Sequence, residues 1–259
     1  MQKMGLAAIM LFLIIGSFAF LRETEVAMAQ VPETVTVEVE EQKEPEPQTK
    51  EAIETDWLAL IEAEMERETE TTSRENCLLV NGDNPVPENY AVDLVDTGRQ
   101  NSRGDSRAVA ALNLMLKAGE REGLAFVVCS GYRNREEQQV LFLNQIKKKL
   151  DEGLGYQEAL AAASRISALP GTSEHETGLA FDIVALSYQN LDQGYADTPE
   201  AKWLAENAVD YGFILRYPEG KEEVTGIIWE PWHYRYVGVS IARAVTGAGI
   251  TLEEYLAEN

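Results

Sequence analysis

Apolar residues are distributed along this chain in three textures. Met4 to Leu21 is an almost continuous apolar run, interrupted only by Gly and Ser. Residues 30–56 carry almost no large apolar side chain, and from about Glu75 onward apolar positions recur with the periods of folded structure. Within that last part, Cys77-Leu78-Leu79-Val80 reads as a short strand ended by the turn-rich Asn81-Gly82-Asp83-Asn84-Pro85. Asp105 is a candidate cap for a helix with Val109, Leu112, Leu116 and Ala118 at roughly helical spacing. Leu124 to Cys129 (LAFVVC) predicts a buried strand. Asn134 opens a second helix with Val140, Leu141, Ile146 and Leu150 on its inner side, and residues 156–167 give another, closed by Pro170-Gly171.

Beyond Gly171 the pattern shortens. Leu179 to Val184, Gly212 to Leu215, Ile227 to Trp229 and Tyr234 to Val237 read as strands, with a helix over 199–211 that carries Trp203 and Leu204. A short helix over 239–246 and the acidic TLEEYL segment follow. Helices first and short, antiparallel-looking strands later predict an α+β fold.

Charge divides the chain along the same lines. The formal net charge is −22, and residues 30–75 hold 15 Asp/Glu against 4 Lys/Arg, a net of −11. The excess therefore belongs mainly to an acidic, Pro-, Thr- and Gln-containing segment that cannot bury enough surface to offset its chain entropy, so 30–74 is expected to be a largely disordered spacer. Within it, Trp57-Leu58-Ala59-Leu60-Ile61 begins a short helix-like stretch that either docks or stays loose. Phosphates would repel so acidic a chain, which argues against a nucleic-acid partner. Residues 1–29 read as an export segment: Lys3, the apolar run, then Ala27-Met28-Ala29 as a small-residue cleavage site. A cleaved signal peptide and an uncleaved membrane anchor both fit, since the run is close to the roughly 17-residue lower limit for a span. An extracytoplasmic protein, secreted or anchored, is expected. There, Cys77 and Cys129 would either pair or stay separate thiols.

The chain has only two histidines, and each keeps informative company. His175 lies in Ser173-Glu174-His175-Glu176-Thr177-Gly178-Leu179-Ala180-Phe181-Asp182, and His233 closes Glu230-Pro231-Trp232-His233. Imidazole nitrogen and carboxylate oxygen are good zinc ligands, and a catalytic zinc keeps three protein ligands with a fourth position open. Asp182 sits between Phe181 and Ile183 in an apolar strand, where an unpaired carboxylate is costly. A metal or an arginine would relieve it. Glu230, three residues before His233, is placed to move a proton, whereas Glu176 does not complete a His-Glu-x-x-His pattern because position 179 is leucine. Ser130-Gly131-Tyr132-Arg133 ends the buried strand with an arginine able to present a fork to a carboxylate or an oxyanion.

Together, SGYR with Gln138, SxHxxGxAxD and ExWH, in this order, resemble the VanY-like D-alanyl-D-alanine carboxypeptidases, zinc metallopeptidases related to lysostaphin-like enzymes. The similarity spans roughly residues 76–245, placing a peptidase domain at 75–259. The resemblance implies a small antiparallel sheet carrying a zinc site and flanked by helices, with His175, Asp182 and His233 as ligands. It implies Glu230 as catalytic base, Arg133 as the residue engaging substrate or transition state, and Gln138 and Ser173 as substrate contacts. The expected reaction is release of the terminal D-alanine from peptidoglycan stem peptides by a monomer. L,D-carboxypeptidase or endopeptidase action on the same stems, and an inactive wall-binding module, are the alternatives.

Overall fold

In a computed structural model the fold is described over residues 77–257. The predicted export segment, the acidic spacer and the Trp57 stretch lie outside the described residues. A two-stranded antiparallel ribbon, β1 (Leu94–Asp96) with β2 (Arg103–Asp105), leads into helix α1 (Ser106–Arg121). Strand β3 (Phe126–Ser130) follows, then the hairpin of helices α2 (Arg135–Asp151) and α3 (Tyr156–Ser164). Strand β4 (Ala180–Ala185), helix α4 (Pro199–Asn207), and strands β5 (Phe213–Leu215) and β6 (His233–Tyr236) come next. Helices α5 (Val239–Ala248) and α6 (Leu252–Ala257) complete the described chain. The main sheet has four strands in the order β3-β4-β6-β5, every pair antiparallel. The α+β expectation holds.

Alternation along the strands gives the sheet two different faces. Phe181, Ile183, Phe213, Tyr234 and Tyr236 point to one side and pack on Leu112, Met115 and Leu116 of α1. Burying one such side chain is worth about 1.5–3 kcal/mol, which makes this layer the platform of the fold. Asp182 and His233, offset by one residue from that apolar set, emerge on the opposite face. Register thus decides what reaches the site.

Caps fix the helices where the sequence places them. The Asp105 carboxylate accepts from the Arg107 backbone at the start of α1, and Asn134 with Glu137 closes a reciprocal capping box on α2. The inner face of α2, however, is Gln138, Phe142 and Ile146, and Val140 is 59% exposed. The expected row of Val140, Leu141 and Leu150 faces outward because α2 packs only a narrow stripe against Ala159 and Ala163 of α3. Apolar identity alone selects the wrong side.

Two expected strands are not strands. Ile227 to Trp229 follows the Gly226 turn and precedes Pro231, and its Ile228 amide donates to Arg165 O outside the sheet. Cys77 to Val80 packs as a segment beside the sheet, with Leu78 O accepting from Arg235 rather than from a ladder. The β1–β2 ribbon went unpredicted; LVD and RGD are too short and polar to carry a strand signal. Cys77 and Cys129 are separate free thiols, so no disulfide forms.

Gly178 connects the 3₁₀ turn Glu174–Thr177 to β4 with a φ of 72°. A Cβ there would lie 2.7 Å from Asp105 N and 2.8 Å from Val92 Cγ1. Gly178→Ala is therefore expected to cost about 2 kcal/mol and lower Tm by roughly 4–8 °C in a thermal melt.

Candidate metal centre

Sheet pairing brings the ligands together. Asp182 of β4 pairs directly with His233 of β6, and a bulge in β3 sets Ser130 against Asp182 from the other side. Bulges of this kind re-aim side chains beside functional sites. His175 comes from the 3₁₀ turn, which the left-handed Gly178 folds back over the end of β4. One donor atom from each of His175, Asp182 and His233 lies within 4.8 Å of the others, and all three residues are buried.

The rest of each motif is explained by contacts. Gly131 has no room for a side chain, because a Cβ would collide with Arg103 O. Its carbonyl lies 2.7 Å from His175 Nδ1, while the next amide, of Tyr132, donates to Arg103 O at 2.6 Å. Arg133 donates through Nη1 to Ser130 Oγ at 2.8 Å and through Nε to Gln138 Oε1 at 3.1 Å. Its Nη1 stands 3.7 Å from Asp182 Oδ2. Gln138 is fully buried, and its amide donates to Ser167 Oγ and Ala168 O. As placed, Gln138 orients Arg133 and ties α2 to the 167–168 loop. Ser173 lines the cleft with His175, Tyr217, Glu230 and Trp232. Glu230 Oε2 is 3.6 Å from His233 Nδ1. Glu176 turns away and braces the Gly171 amide at 2.7 Å.

Three neighbours, of which only Tyr217 lies outside the quoted motifs, had no role assigned from sequence. Tyr217 stacks at a tilt on His233, with ring centroids 4.7 Å apart, and Trp232 forms part of the cleft wall. Glu174 lies behind His233, its Oε2 at 3.4 Å from His233 Nε2. Nothing local marks Tyr217, which simply follows a short strand. Glu174 was visible as the acidic residue beside a ligand, yet its meaning depends on arginines 42 and 61 residues away.

The electrostatics call for a cation. Burial would raise the Asp182 carboxyl, yet His175 and His233 hold it well below the usual carboxylate range. Burial, reinforced by Arg133, lowers the His175 imidazole to about 4. Burial also acts to lower His233, but the adjacent carboxylates of Asp182 and Glu174, with Glu230, outweigh it and push the ring up to about 9. Burial raises Glu230 to about 8. From the protein's own groups, then, positive charge is wanted between His233 and Asp182. Asp182 Oδ1 is buried there without a hydrogen-bond donor. Two imidazole nitrogens, one carboxylate oxygen and an open cleft are the donor set of a catalytic zinc site.

Fold and donors together define a candidate mononuclear metal centre. The chain belongs to the VanY family, described as D-alanyl-D-alanine carboxypeptidase, whose family model matches residues 101–239. A D-alanyl-D-alanine carboxypeptidase of Enterococcus faecalis is 40% identical over 180 residues, covering 69% of this chain and 65% of that relative, just under two thirds of its length. A solved vancomycin-resistance D,D-pentapeptidase VanY from a VanB-type cassette, in complex with Zn(II), superposes with a TM-score of 0.64 at 39% identity, covering 70% of this chain and 98% of that one. The LdcB LD-carboxypeptidase superposes at 0.61 with 38% identity, covering 70% and 86%.

Replacing His175 or Asp182 by Ala should reduce bound zinc, measured by elemental analysis of the purified protein, from about one ion per chain to near none. A His175→Ala protein that keeps its full zinc content would remove that residue from the ligand set.

Proposed function

We propose that this protein is a zinc carboxypeptidase that hydrolyses the terminal D-Ala-D-Ala bond of peptidoglycan stem peptides and releases D-alanine. One observation carries the reading. Arg133, Glu230 and the three metal donors converge on a single cleft, so a peptide terminus can be held, attacked and protonated within one small volume.

A zinc ion held by His175, Asp182 and His233 would act as a Lewis acid on the scissile carbonyl and on the attacking water, and its charge would draw the raised Glu230 carboxyl back toward its ionised form. Glu230 then takes the proton of the attacking water and returns it to the departing amine. Arg133, its guanidinium fixed by Ser130 and Gln138, offers its fork to the substrate carboxylate or to the oxyanion of the transition state. Because the fork is held before substrate arrives, little ordering cost remains when it binds. Ser173 and Tyr217 form the wall against which the substrate end rests.

L,D-carboxypeptidase action is the second reading, favoured by the nearly equal likeness to LdcB. Export supports either. The apolar run over residues 4–21 and the acidic segment over 30–74 suit a signal or anchor followed by a spacer, and stem peptides lie outside the membrane. Among the described residues no helix is long and apolar enough to cross a membrane.

Two measurements test this. Glu230→Ala should keep its zinc but lose about 10²–10⁴-fold in D-alanine release from a pentapeptide stem; substantial remaining activity would sink Glu230 as the base. Mass analysis of products from pentapeptide and tetrapeptide stems incubated side by side should show loss of one residue from the pentapeptide only. Trimming of the tetrapeptide alone would move the assignment to the L,D class.

A further inference from the structure

Behind the cleft, on the side of His233 away from the proposed substrate, lies a buried ionic assembly that the hydrolytic reading does not use. Glu174 Oε1 accepts from Arg216 Nε and from Arg235 Nη1, both at 2.8 Å. The two arginine side chains are 0% and 1% exposed, and that of Glu174 is fully buried. The other two nitrogens of each arginine also have acceptors. Arg216 forks onto Glu253 of α6 at 2.6 and 2.9 Å, while Arg235 reaches Tyr236 O and Leu78 O. One oxygen of Glu174 is thus fully engaged. The other, Oε2, is buried without a hydrogen-bond partner and faces His233 Nε2, which is equally buried and equally unpartnered, 3.4 Å away. That separation is long for a hydrogen bond. Yet among the described residues neither atom has another hydrogen-bond partner.

We propose that Glu174 is a positioning residue for the metal centre: it holds the proton of His233 on Nε2, so that Nδ1 presents its lone pair to the ion. This rests on the metal-centre reading of the site. The two histidines are then opposite tautomers. His175 Nδ1 faces the carbonyl of Gly131, which can only accept, so its proton sits on Nδ1 and Nε2 turns toward Asp182 Oδ2 at 3.4 Å. His233 has the reverse arrangement, with Nδ1 3.2 Å from Asp182 Oδ1 and Nε2 on the Glu174 side. Glu174 suits this task because it stays an acceptor. Two buried arginines donate to its other oxygen and need its negative charge as their counter-ion, so Oε2 has only lone pairs to offer His233. A carboxylate behind a ligating imidazole fixes ring orientation and tautomer and increases ligand basicity.

The isosteric variant Glu174→Gln has a definite expected effect. Both arginines need an oxygen at the Oε1 position, so the new amide must direct its NH₂ at His233 Nε2. That nitrogen then has to accept, the proton moves to Nδ1, and the lone pair meant for the metal is lost. Since the chain has only two histidines, ¹⁵N-histidine labelling of the zinc-loaded protein gives two imidazoles to observe. Long-range ¹H–¹⁵N spectra of the unaltered protein should show one ring protonated on Nδ1 and one on Nε2. For Glu174→Gln with unchanged near-ultraviolet circular dichroism, zinc affinity by chelator competition should fall about 10–100-fold.

A folded Glu174→Gln protein with zinc affinity within threefold of the original would overturn the proposal. If that variant does not fold, the unaltered protein decides: two rings protonated on Nδ1 overturn the proposal, and one of each supports it. Failure of the unaltered protein to bind zinc at all would overturn the metal reading and this proposal with it, an outcome distinct from loss in the variant alone.

Discussion

Burying Asp182 is expensive, and the arrangement around it is what makes that cost tolerable. Its strand is buried on both faces, so the carboxylate cannot reach bulk water. An isolated charge in such a place would normally be neutralised by a proton. Instead His233 is set opposite it by strand pairing, His175 is folded over it by a glycine turn, and Arg133 stands at its edge. These neighbours keep it ionised and leave one oxygen without a donor. The need for a cation is therefore written into the sheet register. A slip of one residue along β4 would exchange Asp182 for Phe181 or Ile183 and place a carboxylate in the core under α1.

The apolar layer on the other face serves the same end. Phe181, Phe213 and Tyr236 stack edge-on in sequence across the sheet, with ring centroids 6.3 and 5.3 Å apart. Packing of this density resists small shifts. The Asp182–His233 separation is therefore set by strand pairing rather than by a loop. The family relationship fits this division, since the matched segment, residues 101–239, runs from just before β2 to just after β6 and so contains the sheet and every site residue.

The donors themselves were legible because the chemistry is scarce: two histidines and one aspartate isolated among apolar residues leave few alternatives. The caps at Asp105 and Asn134 were legible because they act over two or three residues. Tertiary context hid the rest. The inner stripe of α2 contains Gln138, a residue whose burial depends on Arg133 and a distant loop, and the outward Leu141 lines the cleft instead of the core. Ile227 to Trp229 has strand composition, but its hydrogen-bond partner is a helix terminus near Arg165. Tyr217 and Glu174 became meaningful only once β5 and β6 lay side by side. Local pattern shows which groups can do chemistry. Long-range pairing shows which of them meet.

The fork between Arg216 and Glu253 also ties the site to a helix far from the cleft. His175 and Glu174 are made early in the chain, but the arginine that anchors Glu174 is itself anchored by a helix made more than seventy residues later. Without α6, Arg216 would lack the carboxylate that it forks onto, and Glu174 would lean on an arginine with no other ionic anchor. Side chains as far away as α6 thus stand behind the His233 imidazole, well outside the cleft that the ring faces.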